Sequence, residues 1–162
     1  MRTKAEFRKK FYVDGLRTQR LAQVFDDSDL AVKPAEGSMT MAELLAHIIA
    51  SRNFLRGVFA EEAPTTELFK IPLAIESAAA LRRELARSWR AVLDALDEAE
   101  DVWLAQTISP FGPDWEMSRL EMADLMLEHE IHHRGQLSVY VRVAGKTPPE
   151  LYTPVTEEVL ED

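Results

Sequence analysis

Four histidines, His47, His129, His132 and His133, are the residues with most chemical potential in a chain that has no cysteine. Successive residues on an α-helix turn by about 100°, so residues four apart lie within about 40° of each other. His129 and His133 therefore share a face, and extending it collects Met122, Met126, Gln136, Tyr140 and Val143. This is an apolar stripe with two imidazoles and an amide in its middle. His47 sits in a comparable stripe with Leu44, Ser51, Phe54 and Val58. If the two helices are neighbours, three imidazoles converge. Burying them is costly without partners, and a divalent ion such as zinc or nickel solves that by taking one lone pair from each neutral ring. A His₃ set leaves a coordination position open, as a catalytic site does. Ligation needs neutral imidazoles, so affinity is expected to fall as pH drops from about 7 toward 5. His132 lies about 100° round from His133 and reads as a surface residue or a neighbour of the ligands.

The same letters carry a second reading. His129-Glu130-Ile131-His132-His133 matches H-E-x-x-H, the helix of zinc peptidases, in which Glu130 would be the general base. A third ligand would then have to come from Glu150, Glu157, Glu158 or Glu161, and His47 would be left unexplained. In the His₃ reading Glu130 is instead a surface residue or, with Gln136, a weak candidate for supporting the ligands from behind.

The elements that must hold these residues announce themselves by a recurring start signal. Thr3-Lys4-Ala5-Glu6, Thr40-Met41-Ala42-Glu43 and Ser118-Arg119-Leu120-Glu121 are capping boxes, each followed by a proline-free run rich in Leu, Ala, Glu and Arg. Four helices are predicted, over about Lys4 to Asp27, Met41 to Ala60, Pro72 to Glu100 and Arg119 to Ala144. Gly15 is a weak point in the first, Pro72 sits in the first turn of the third, and Gly145 ends the fourth. The link from 101 to 117 holds Trp103, Phe111 and Trp115, and aromatics of that size must pack on something. Val102-Trp103-Leu104 reads as a short extended piece, and nothing supports a true β-sheet. The proline-rich stretch after Gly145 reads as an irregular tail laid on the bundle. The fold class is all-α, a helical bundle in a single domain over residues 1–162.

Composition narrows the function. Lys plus Arg number 19 against 28 Asp plus Glu, a formal charge of −9, the wrong sign for a protein that lives by neutralising phosphates. Nucleic acid and anionic membranes are not expected partners. The charged N-terminal residues do not resemble a signal peptide, and no apolar run is long enough to span a bilayer, so a cytoplasmic location is expected. Arg83, Arg87 and Arg90 form a basic face that reads as solvated surface.

The block His129-Glu130-Ile131-His132-His133-Arg134-Gly135-Gln136 resembles the H-x-x-x-H-R-G-Q signature of the DinB-like proteins, and Leu44-Leu45-Ala46-His47-Ile48 resembles their second-helix segment. The resemblance runs over most of the chain. It implies a four-helix bundle with up-down-down-up connections and a nickel or zinc ion held by His47, His129 and His133. It further implies a transferase in which the metal binds the sulfur of a low-molecular-weight thiol, which attacks an electrophilic substrate. A metal-dependent hydrolase using water, or a non-catalytic metal- or small-molecule-binding bundle, are the alternatives. Family members often pair as homodimers, and many are damage-inducible, which implies a stress response. The crossover aromatics Trp103, Phe111 and Trp115 also exceed what a lone bundle must bury, which points to a homodimer.

Overall fold

The three capping boxes form as the sequence requires. The hydroxyls of Thr3, Thr40 and Ser118 accept from the amides of Glu6, Glu43 and Glu121, and each glutamate accepts in return from its cap's backbone N–H. In the computed structural model, which describes residues 2–70 and 77–153, these caps open α1 (Lys4–Ala22), α2 (Met41–Ala60) and α5 (Arg119–Val143). Helix α3 (Ala78–Glu98) is capped by Ser77, whose side chain accepts from the Ala80 amide. Its start is later than the sequence suggests, and Pro72 lies outside the described residues. Helix α1 stops at Ala22 rather than Asp27, because Asp26 caps a separate 3-10 turn, Asp27–Asp29. Gly145 has φ +75°, the left-handed geometry that ends α5.

Side-chain bonds fix the directions of the four long helices. Lys4 Nζ donates to the carbonyl oxygens of Asp97 and Ala99, and Arg82 Nη1 to that of Phe25, so α1 and α3 are antiparallel. Arg119 Nη1 donates to the Val58 and Glu61 carbonyls, while the Tyr140 hydroxyl donates to Met39, so α2 and α5 are antiparallel. The Asp14–Arg134 and Arg2–Asp124 pairs make α1 and α5 parallel. The result is an up-down-down-up bundle, in which α2 and α3 run side by side in the same direction.

The crossover departs from expectation. Val102-Trp103-Leu104 is not extended; it belongs to a single helical turn, α4 (Asp101–Leu104), followed by two-residue strands β1 (Thr107–Ile108) and β2 (Met117–Ser118) paired antiparallel. Trp103 Nε1 donates to the Phe59 carbonyl, which turns the nitrogen edge of the ring toward α2, and the Arg119 guanidinium covers the ring's face at 3.7 Å. Phe111 packs on Phe54 and Phe69, and Trp115 edges Phe111 while staying 50% exposed. The described part of the tail lies along α1, where Arg17 and Arg20 hold Leu151, Tyr152 and Thr153.

The core comes in two halves. One gathers Phe7, Phe11, Phe54, Trp89 and Met122; the other Phe25, Leu44, Ile48, Leu81 and Leu137. Between them in helix register lie the buried polar residues Thr18, Arg52, Glu130 and Arg134, and Asp14 is buried close by on α1. Gly15 is not a weak point but a contact: a Cβ there would stand 2.3 Å from Trp89 Cδ1. Alanine in a helix gains about 1 kcal/mol over glycine, while overpacking a rigid, fully buried indole costs about 1–3 kcal/mol. Gly15→Ala is therefore expected to lower stability despite its better helix propensity. Urea denaturation checks the sign; a higher midpoint would mean Trp89 has room to yield.

Candidate metal centre

The antiparallel pairing of α2 and α5 brings His47 opposite His129 and His133. His47 Nε2 stands 3.2 Å from His129 Nε2, and His133 Nε2 stands 3.0 Å from it. One ligand atom from each of the three rings falls in a single cluster no wider than 4.8 Å. Two nitrogens bound to one ion at about 2.0–2.1 Å stand about 3.0 Å apart at a right angle and about 3.4 Å at the tetrahedral angle. The observed separations fall in that range.

The protonation pattern suits ligation. His133 Nδ1 donates to Gln136 Oε1 at 2.7 Å; an amide oxygen only accepts, so the ring proton sits on Nδ1 and the Nε2 lone pair is free. Gln136 is itself oriented by its amide nitrogen, 3.0 Å from His132 Nε2. Among the described residues His129 Nδ1 is buried with no partner, so the ring's compensation for burial comes through Nε2. Burial, and then the facing histidines, hold His129 down to about 4. Burial also lowers His47 and His133, although the Gln136 bond pulls His133 partly back. All three rings are neutral donors at pH 7. Their residues fit a divalent ion.

The other sequence-predicted residues fall as follows. His132 is exposed and outside the cluster. Gln136 supports His133 directly. Glu130 is no surface residue: it is 3% exposed, and its carboxylate bonds are to Arg52 and Thr18, not to a histidine. On the expected stripe, Met122, Met126 and Tyr140 are buried, but Val143 is 49% exposed because it lies in the last turn, where α5 leaves the bundle. Sequence reasoning missed Arg52, Thr18, Asp14 and Arg134, which tie the histidine-bearing helices together. Arg52 stands in the row Ile48, Leu55, Phe59, and a charge set among buried apolar residues was the available signal.

The DinB family matches residues 1–161, and the chain belongs to that family. It is 30% identical over 135 residues to YjoA of Bacillus subtilis strain 168, covering 83% of this chain and 86% of that protein. It is 26% identical over 157 residues to YrdA of the same strain, covering 94% and 89%. The crystal structure of the DinB-like YjoA superposes with a TM-score of 0.75 over 90% of this chain and 96% of that one, at 27% identity. A DinB-like protein from Bacillus cereus ATCC 10987 gives 0.74 over 90% and 95%, at 25% identity.

Two outcomes follow. His47→Ala, His129→Ala and His133→Ala should each weaken zinc binding by at least tenfold in a competitive chelator titration, and His132→Ala should leave it within twofold; equal retention in all four would sink the assignment. An imidazole whose pKa is depressed by folding stabilises the fold above about 6.5, its unfolded value. That contribution is lost as pH falls through the folded value, about 4 for His129. The metal-free protein should thus lose thermal stability between pH 6.5 and about 4 more steeply than its His129→Leu variant. Proton competition with the metal follows the lowered folded values, so it shifts to lower pH than free imidazole would give. Calorimetry with and without zinc reads both.

Proposed function

We propose that the chain is a transferase that uses a divalent ion, nickel or zinc, held by His47, His129 and His133, to join a low-molecular-weight thiol to an electrophile. The observation that carries this reading is the convergence of three neutral Nε2 atoms with no carboxylate among them. When bound there, the ion supplies Lewis acidity that holds a thiol as its thiolate. Neutral ligands leave its double charge uncompensated, which favours an anionic sulfur. Gln136 keeps the His133 lone pair aimed by holding the proton on the far nitrogen.

The peptidase reading of the same helix requires Glu130 to be free to take a proton from water. Both its oxygens are engaged by Arg52, at 2.6 and 2.9 Å, and Thr18 donates to one of them at 2.8 Å. Burial would raise its carboxyl, but the Arg52 charge and hydrogen bonds, with Thr18 and Arg134, hold it below the ordinary range. A carboxylate so placed is a poor base.

Elemental analysis of untagged protein, followed by a thiol-transfer assay with and without chelator, tests the proposal. Chelator-insensitive transfer, or ester hydrolysis without thiol, would overturn it. Glu130→Gln should destabilise the fold, since it strands the buried Arg52 charge, at a cost of about 3–5 kcal/mol. In the folded, metal-loaded fraction, transfer should fall by less than about tenfold, or about 1.4 kcal/mol of barrier. His133→Ala should abolish it. Equal loss in both variants, with metal still bound to Glu130→Gln, would restore the general base.

Pairing of two copies belongs to the same proposal. Val102, Phe111 and Trp115, all on the α3–α5 crossover, are 70%, 37% and 50% exposed, an apolar set that a second copy would cover. Sedimentation at micromolar concentration should show a dimer, and Trp115→Asp should shift it toward monomer. A cytoplasmic location accords with the fact that, among the described residues, no helix is long and apolar enough to cross a membrane.

A further inference from the structure

Gln136, which holds the His133 proton, also forms part of a cavity of about 380 Å³. The cavity lies between Gln136, Val139 and Tyr140 of α5 and the loop before α2, from which Pro34 and residues 37–39 face it. It extends along α5 by about 6 Å, the rise of four helical residues, starting one turn beyond His133. The loop is held in place. The Ser38 amide donates to Ala35, Gly37 makes the bend at φ +83°, and the Tyr140 hydroxyl ties Met39 to α5 at 2.6 Å. None of the residues lining it is an Asp, Glu, Lys, Arg or His. That is uncommon on a chain with 19 Lys and Arg, 28 Asp and Glu and 4 His. The larger groove between α1 and α3, about 640 Å³, is lined by Arg82, Arg83, Arg87 and Arg90, and none of its lining residues bonds to a histidine as Gln136 does.

We infer that the cavity beside Gln136 seats the body of the electrophile, and that the substrate class is a small, uncharged, largely apolar molecule. The inference rests on the thiol-transfer reading of the adjacent centre and says which half of the reaction enters here. Its size is at the small end of ligand sites, which run from about 300 to 1,000 Å³. A charged group would enter it unpaired, at the cost of desolvation. A neutral body gains by leaving water for Pro34, Met39, Val139 and the Tyr140 ring. For an alkyl halide, the thiol proton goes to solvent, a sulfur–carbon bond forms and the carbon–halogen bond breaks, releasing halide.

The test uses the zinc-loaded full chain and two unreactive probes that share a ring, benzyl alcohol and benzoate. In amide NMR spectra, benzyl alcohol should shift the Gln136 side-chain amide and the backbone amides of Gly37 and Val139, and benzoate should bind at least tenfold more weakly. Val139 is 49% exposed, so Val139→Glu places a charge on the wall without disturbing the core. It should weaken benzyl alcohol at least tenfold and raise KM for benzyl chloride by a similar factor, with a much smaller change in kcat. Shifts confined to other residues, equal binding of the two probes, or an unchanged KM in Val139→Glu would overturn the inference. Thiol transfer with that unchanged KM refutes the cavity and leaves the transferase standing. Probe binding as described with no turnover refutes the transferase, and with it the electrophile assignment, and leaves a cavity for neutral apolar ligands.

Discussion

The Arg52–Glu130 ion pair sets the register on which the site depends. Arg52 is 1% exposed and Glu130 3%, and two charge-assisted bonds join them across α2 and α5. A third Arg52 nitrogen reaches the Leu85 carbonyl of α3, and Thr18 of α1 donates to the same glutamate. All four long helices thus meet at one level. Removing two charges from water is expensive, and an apolar pair of equal volume often serves stability as well. What the pair supplies is discrimination: sliding α5 against α2 by one turn would strand a buried guanidinium and a buried carboxylate. An apolar seam of Leu and Met would tolerate that slip far better, and His47 would then miss its partners.

Helix α5 carries two polar rows side by side. His129 and His133 form one, and Glu130 and Arg134 the next, each pair four residues apart. The second row engages α1 and α2, with Arg134 Nη1 on Asp14 at 2.8 Å and Glu130 on Arg52. The first turns toward α2 and meets His47. The bundle therefore spends its ionic bonds on the row next to the ligands, and the same contacts that orient α5 orient the imidazoles. The two halves of the apolar core, which pack above and below this level in the helix register, close it off from both ends.

Much of this was legible before any coordinates. The capping boxes fixed three helix starts because their chemistry is local: a hydroxyl, a glutamate and two amides within four residues. Helical phase, which is equally local, put His129 and His133 on one face and His47 on an inward stripe, while the resemblance of the H-x-x-x-H-R-G-Q block implied that the two faces meet. What escaped depended on tertiary contact. The Val102-Trp103-Leu104 turn is helical because Trp103 must lie against Phe59, a contact 44 residues away. The early end of α1 follows from Asp26, whose carboxylate caps the next turn and is held by Lys146 from beyond α5. Glu130 was misread because helical phase gave its angle from the histidines, not what α2 would place opposite it.

The electrostatics of that level bear on what the centre can select. Asp14 and Glu130 are the buried carboxylates nearest in sequence or register to the ligands, and each is already engaged by an arginine. A zinc peptidase helix needs its glutamate unpaired and beside the metal's open position; this chain has turned the glutamate into the bundle and paired it. With Glu130 and Asp14 spent and the three rings uncharged, a divalent ion at His47, His129 and His133 keeps its full charge for whatever takes the open position. There it would hold a bound water or thiol as its anion. The ion pair that sets the helix register thus also keeps Glu130 from the role that the glutamate has in a zinc peptidase helix.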